Sequence, residues 1–243
     1  MTSAPQSARM PPAAGPATHT PISTTRTPSI GPLIDNLLSP PARASFYLTS
    51  WPLHSIVFAL NDRPSVVILF VCTGNTCRSP MAAALLRHHL GVDATIEVAS
   101  VGTIGWNGYP ATPHAVAVLA ERGIDLSAHI SRKINRDDVE RADVIIAMTR
   151  KHAWAVTAHD ADAADRTFLL AELIRLARGQ RRNGESVRQW AESIGQSRRP
   201  DRPIGHAGDE ITDPVGESIE VYRATASLLD RWLGELAAVL DGD

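Results

Sequence analysis

Apolar residues are unevenly spread along this chain, and their spacing changes character near Val66. Before that point, residues 1 to about 45 are crowded with Pro, Ser, Thr, Ala and Gly, carry no acidic residue ahead of Asp35 and hold no sustained apolar period. Residues 1–63 therefore read as a disordered N-terminal arm. From Val66 the run Val-Val-Ile-Leu-Phe-Val is continuous and of strand length, the pattern of a parallel strand covered on both faces. A glycine-bearing turn follows. Ser79 then reads as an N-cap with Pro80 at the first helical position, and helix formers run from Met81 to Leu90 until Gly91 closes the helix. Further along, the pattern predicts a strand over Ile96 to Val101, a helix from Pro113 to Arg122 stopping at Gly123, and a buried strand from Asp143 to Met148 after a short acidic helix. Thr167 to Leu170 predicts a fourth strand, followed by a helix through Arg178. Between 179 and 208 the composition turns polar and Arg-rich, which reads as an insertion with one helical turn around Val187 to Ile194. From Glu217 to Leu240 the spacing of Ile219, Tyr222, Ala226, Leu229, Leu233, Leu236 and Leu240 predicts a closing helix with one apolar stripe. Strands alternating with helices give an α/β fold with a parallel sheet, placed in a single domain over 64–243.

Composition narrows the function classes. A formal net charge of -2 offers nothing to a polyanion or an anionic membrane surface, so neither nucleic acid nor membrane is expected as a partner. The nearest approach to a spanning segment, Phe46 to Leu60, is short and interrupted by Pro52 and His54, and the residues before it lack the order of a secretory signal. The chain has 2 cysteines, Cys72 and Cys77, in one short segment, so no disulfide framework ties distant parts together; a reducing, cytoplasmic setting is expected.

Those two cysteines frame the candidate chemistry. Cys72-Thr-Gly-Asn-Thr-Cys-Arg78-Ser79 has the form Cys-x5-Arg-Ser and lies between a buried strand and a helix start. Cys-x5-Arg alone is a common coincidence; its setting is what gives it weight. A loop entering a helix turns backbone N–H groups inward and makes an anion cradle aided by the helix dipole. Gly74 permits tight backbone geometry, and Asn75 tolerates the left-handed conformation such loops need. Arg78 can grip two phosphoryl oxygens with its planar fork, the positive surroundings favour a nucleophilic thiolate at Cys72, and the Ser79 hydroxyl is placed to hydrogen-bond it. Attack by sulfur on phosphorus expels a group that needs a proton. Asp213, in the turn-like Asp213-Pro214 before the last helix, is the candidate acid, and the same carboxylate can afterwards activate water. No metal or other cofactor is required. The loop residues Thr73, Gly74, Asn75, Thr76, Cys77 and Ser79 are the candidate phosphate-binding set.

With these residues in view, the chain resembles the low-molecular-weight protein-tyrosine-phosphatase family, which includes a protein-arginine-phosphatase branch. The likeness covers about residues 64 to 241. It is carried by Val-Cys-Thr-Gly-Asn-Thr-Cys-Arg-Ser-Pro-Met, Asp-Pro-Val-Gly, Ser100-Val-Gly-Thr103, Trp106, Gly123-Ile-Asp-Leu-Ser-Ala-His129 and Ala142-Asp-Val-Ile-Ile-Ala-Met148. The resemblance implies a four-stranded parallel sheet flanked by helices, no metal, phosphorylated proteins as substrates and the roles given above to Cys72, Arg78 and Asp213. It also implies that Asn75 and Ser79 organise the loop, that Trp106 lines the substrate mouth and that Cys77 is a reversible disulfide partner of Cys72; packing alone is the other reading of Cys77. Two positions depart from the phosphotyrosine pattern: Thr76 replaces a bulky aliphatic and resembles the arginine branch, while Val215 replaces the aromatic that both branches usually carry. Phosphotyrosine is expected as substrate, with phosphoarginine as a close rival. An arsenate reductase lacks further cysteines after Cys77, and a non-catalytic phosphoprotein-binding module or a redox sensor leaves Asp213 or the full triad without a use. His88 and His89 read as surface residues, and His114, His129 and His152 as structural or exposed ones. The arginines at 181, 182, 198, 199 and 202 read as a solvated loop face.

Overall fold

The computed structural model describes residues 66–91, 95–104, 107–180, 184–198 and 204–241; the expectations for the N-terminal arm, for Trp106 and for the arginines at 181, 182, 199 and 202 lie outside them. The apolar run Val66–Cys72 forms β1, which pairs in parallel with β2 (Ile96–Gly102) on one side and β3 (Val144–Ala147) on the other. β3 in turn pairs in parallel with β4 (Thr167–Leu169), giving the order β2-β1-β3-β4. The helices are α1 (Arg78–Leu90), α2 (Pro113–Ala120), α3 (Arg136–Arg141), α4 (Arg150–Thr157), α5 (Leu170–Ala177), α6 (Val187–Gln196) and α7 (Ile219–Asp241).

Alternate residues of β1 enter two separate cores, which is why its sequence is apolar without a break. Ile68, Phe70 and Cys72 pack with Met81 and Leu85 of α1, Leu119 of α2, Trp190 of α6 and Leu229 and Leu233 of α7. Leu69 and Val71 face the opposite layer with Val139 of α3, Ile145 of β3 and Val156 of α4. Each such side chain removed from water contributes about 1.5–3 kcal/mol, so the strand is anchored from both faces. The stripe predicted for the closing helix is the one buried from Tyr222 on: Tyr222, Ala226, Leu229, Leu233, Leu236 and Leu240 are all inside, and Ile219 is partly buried against them.

Three readings change. α1 begins at Arg78, with Cys77 rather than Ser79 at its N-cap. Ser79 is already inside the first turn because its hydroxyl is used by the loop and not by the helix end. The polar stretch 179–208 holds a ten-residue helix, α6, rather than a single turn. Ser186 and Gln189 form a capping box at its start, and Val187, Trp190, Ala191 and Ile194 recur at helical spacing and are buried. Arg198 is not a solvated loop residue. Its guanidinium donates to Glu172 Oε1 (2.8 Å), Ala164 O (3.0 Å) and Thr167 O (2.6 Å) and lies 4.4 Å over the Phe168 ring. α4, for which the sequence pattern held no expectation, follows β3 directly.

Candidate active site

Residues 73–77 join the end of β1 to α1 at the carboxyl edge of the sheet. β1 has β2 on one side and β3 on the other, and chain crossovers leave for both, so the loop sits where a parallel α/β sheet opens its binding crevice. Asn75 takes the left-handed conformation there (φ 56°), and Gly102, opposite Cys72 on β2, admits the loop closely. A Cβ at Gly102 would lie 2.8 Å from Thr73 O and 3.0 Å from Asn75 N.

Cys72 Sγ accepts hydrogen bonds from Ser79 Oγ (3.0 Å) and from the Asn75 backbone N–H (3.3 Å). The Asn75 side chain bonds on both its atoms: its Nδ2 donates to Ser79 Oγ (3.0 Å) and Ser100 Oγ (2.9 Å), and its Oδ1 accepts from the Arg132 N–H (3.0 Å). His129 Nε2 donates to the Asn75 carbonyl at 2.7 Å, and burial holds this imidazole below its ordinary pKa. The Thr112 N–H donates to the Thr76 carbonyl (2.8 Å). The loop is thus fixed from β2, from α2 and from the segment before α3.

Arg78 is 3% exposed. Its Nη1 donates to Ile211 O (3.1 Å), and its Nη2 to Asp213 Oδ2 (2.5 Å) and Thr73 Oγ1 (3.3 Å). Its Nε–H has no acceptor among the described residues, a buried cationic donor suited to an anion. Asp213 also accepts from Cys77 Sγ (3.6 Å) and the Val215 N–H (3.3 Å). Cys77 is pushed up to about 12, by burial first and then by Cys72 and Asp213, so at neutral pH it is a thiol that donates. The structure therefore brings together Cys72, Thr73, Asn75, Cys77, Arg78, Ser79 and Asp213.

Two contributors were not legible in the motif spacing. His152, in the first turn of α4, reaches Thr73 Oγ1 with Nε2 (2.9 Å) and Thr149 Oγ1 with Nδ1 (3.0 Å). Ser100 holds Asn75 from β2. Of the other histidines, His89 pairs with Asp230 (2.8 Å) and His114 stacks edgewise on Tyr222. Among the described residues, no group of three or more His, Cys, Asp or Glu is placed to hold a metal ion.

Residues 67–185 match the family described as low molecular weight phosphotyrosine protein phosphatase. A protein-arginine-phosphatase of Geobacillus stearothermophilus is 36% identical over 173 residues, covering 71% of this chain and 95% of the relative. This chain belongs to the low-molecular-weight phosphatase family. The low-molecular-weight protein-tyrosine-phosphatase Etp of Escherichia coli K12 is 37% identical over 164 residues, covering 68% of this chain and 87% of Etp. Among solved structures, the YwlE arginine phosphatase in a Cys-to-Ser variant with a phosphorylated active-site serine aligns with a TM-score of 0.56 at 31% identity, covering 73% of this chain and 97% of that one. The family's fold, a four-stranded parallel sheet with flanking helices, is the fold described above. The phosphatases that match this member over most of their own length act on two chemically different substrates by name, so membership fixes a phosphatase and leaves the leaving group to be argued.

Proposed function

We propose that this phosphatase works through a phosphocysteine on Cys72 and that its preferred substrate is phosphoarginine in proteins. In the first step the Cys72 sulfur attacks phosphorus, the bond from phosphorus to the leaving oxygen or nitrogen breaks, and Asp213 gives that atom its proton. The loop N–H groups and the Arg78 fork hold the three phosphoryl oxygens as charge builds on them. An incoming phosphoryl group takes the place of the Asp213 carboxylate on Arg78, which frees Asp213 to carry a proton. In the second step water attacks phosphorus, Asp213 takes the water proton, the S–P bond breaks and inorganic phosphate leaves. Bonding of Ser79 and Asn75 to Cys72 supports its role, since both groups donate to the sulfur and stabilise it as an anion.

Thr76 carries the choice of substrate. It lies in the loop, is 6% exposed and is pinned through its carbonyl, so its hydroxyl is the polar group that the side chain offers. A guanidinium leaving group has N–H donors for such a hydroxyl, whereas a phenyl ring has none. Val215, after the Asp-Pro pair, is 48% exposed and supplies no ring for a phenol to stack on. Phosphotyrosine is the second reading, favoured by the exposed apolar Ile104, whose N–H bonds Thr73 O (2.9 Å) beside the loop. Phosphate release from matched phosphoarginine and phosphotyrosine peptides decides between them. Wild type is expected to favour phosphoarginine, and Thr76→Ile to shift the ratio of kcat/KM toward phosphotyrosine by about tenfold or more. A wild-type preference for phosphotyrosine that Thr76→Ile leaves unchanged would remove Thr76 as the selectivity residue.

A further inference from the structure

Arg78 is oriented by Ile211 O, Asp213 and Thr73 Oγ1, and the chemistry proposed above takes Asp213 off the fork when phosphate arrives. Ile211 holds only Nη1, so Thr73 is the protein group left on Nη2. Thr73 Oγ1 has two partners among the described residues, Arg78 Nη2 and His152 Nε2. Arg78 can only donate, so the Thr73 oxygen accepts from it. The hydroxyl hydrogen is then donated to His152 Nε2; if that nitrogen were protonated instead, the hydrogen would have no acceptor among these residues. A ring accepting at Nε2 carries its hydrogen on Nδ1 and donates it to Thr149 Oγ1, 3.0 Å away. Thr149 is the N-cap of α4 yet makes no side-chain cap bond, which leaves its oxygen for this task. Every link has one direction, and the series ends on a helix anchored behind β3.

We propose that His152 is a positioning residue for the phosphate-binding arginine: by accepting from Thr73 through Nε2 it locks the Thr73 oxygen toward Arg78 and keeps the fork aimed while Asp213 is engaged with the leaving group. This rests on the phosphate-gripping role given to Arg78 above. The ring's surroundings agree with a neutral acceptor. Its pKa is lowered to about 4, by burial first, then by Arg78 and, less, Lys151, against the opposing pull of Asp213 and Glu210. The first turn of α4 also presents N–H groups that disfavour a cation there.

The test is a double-mutant cycle on hydrolysis of p-nitrophenyl phosphate, with His152→Leu, Thr73→Val, the pair together and His152→Gln. Removing either end of the bond is expected to lower kcat/KM by about tenfold, the worth of one hydrogen bond on a charged network. The pair should lose no more than the worse single variant, and His152→Gln, whose amide oxygen can accept from Thr73, should recover most of the loss. Multiplying losses, or a Gln variant as impaired as the Leu variant, overturn the proposal. A second reading does not depend on turnover: the imidazole 15N shifts of His152 in Cys72→Ser protein should report hydrogen on Nδ1 and none on Nε2 at neutral pH. Hydrogen on Nε2 overturns the proposal. If wild type fails to release phosphate, the catalytic reading falls by itself, and the same four variants are compared by their affinity for inorganic phosphate in the Cys72→Ser background, with the same coupling expected.

Discussion

Around Arg78, the polar side chains of the candidate site hold one another in place. Asn75 holds Ser79 and Ser100 while its own N–H points to the Cys72 sulfur. Cys77 sits in the same loop as a buried thiol raised to about 12, so two neighbouring cysteines have different chemistry because one accepts two donors and the other donates to Asp213. His152 has a consequence for stability as well as for positioning. Its pKa is lowered from the ordinary 6.5 to about 4 in the fold, so between those values the unfolded chain binds more protons than the native one. The contribution is fully present above about pH 6.5, and is lost as pH falls toward 4, amounting to at most roughly 3 kcal/mol. Urea unfolding of wild type and His152→Gln at a series of pH values measures it: the wild-type curve should fall more steeply than the variant's over that window. Parallel curves would show that the imidazole is not held neutral.

At the scale of elements, the legible part of the fold was the part whose apolar spacing is long and unbroken. β1 and the stripe of α7 follow directly from such spacing, while the body of α1 follows from its helix formers and the closing Gly91. Cys72, Asn75, Arg78 and Ser79, chosen from the loop between a buried strand and a helix, and Asp213, chosen from the Asp-Pro before the last helix, are brought together in the structure. α6 was not legible, because its four core residues are set among polar ones and flanked by arginines that look solvated. Only the structure reveals that Arg198 spans from Glu172 to the carbonyls of Ala164 and Thr167. His152 was hidden for a related reason: its partner in the site, Thr73, lies far away in sequence, on β1's loop. Arg198 also gives this scale its prediction. Glu172 is 3% exposed, and removing its cation leaves a buried carboxylate unpaired. Arg198→Met should therefore lower unfolding free energy by about 3 kcal/mol in denaturant titrations, far more than a surface arginine. A loss within about 0.5 kcal/mol would mean that Arg198 is solvated after all.

Among the described residues, the carboxyl edge of the sheet gathers what the chain order separates: the loop after β1, the end of β2 at Gly102, the start of α4 after β3 and the Asp213 segment before α7. Such an edge is where loop changes alter substrate without altering fold, in keeping with tyrosine and arginine phosphatases sharing this architecture. With a net charge of -2 the protein offers little long-range steering to an acidic phosphoprotein. No helix among the described residues is long and apolar enough to cross a membrane. The central claim is that phosphate passes through the Cys72 sulfur. Rapid acid quench of Asp213→Asn during turnover of 32P-labelled p-nitrophenyl phosphate, followed by peptide mapping, tests it most directly. The activated leaving group needs no proton from Asp213, whereas hydrolysis of the intermediate is slowed without it. Label should accumulate as a thiophosphate on the Cys72 peptide and be absent from Cys72→Ser/Asp213→Asn as a thiol ester. Phosphate release with no protein-bound label, or label on Cys77 with Cys72 unmodified, would contradict the account.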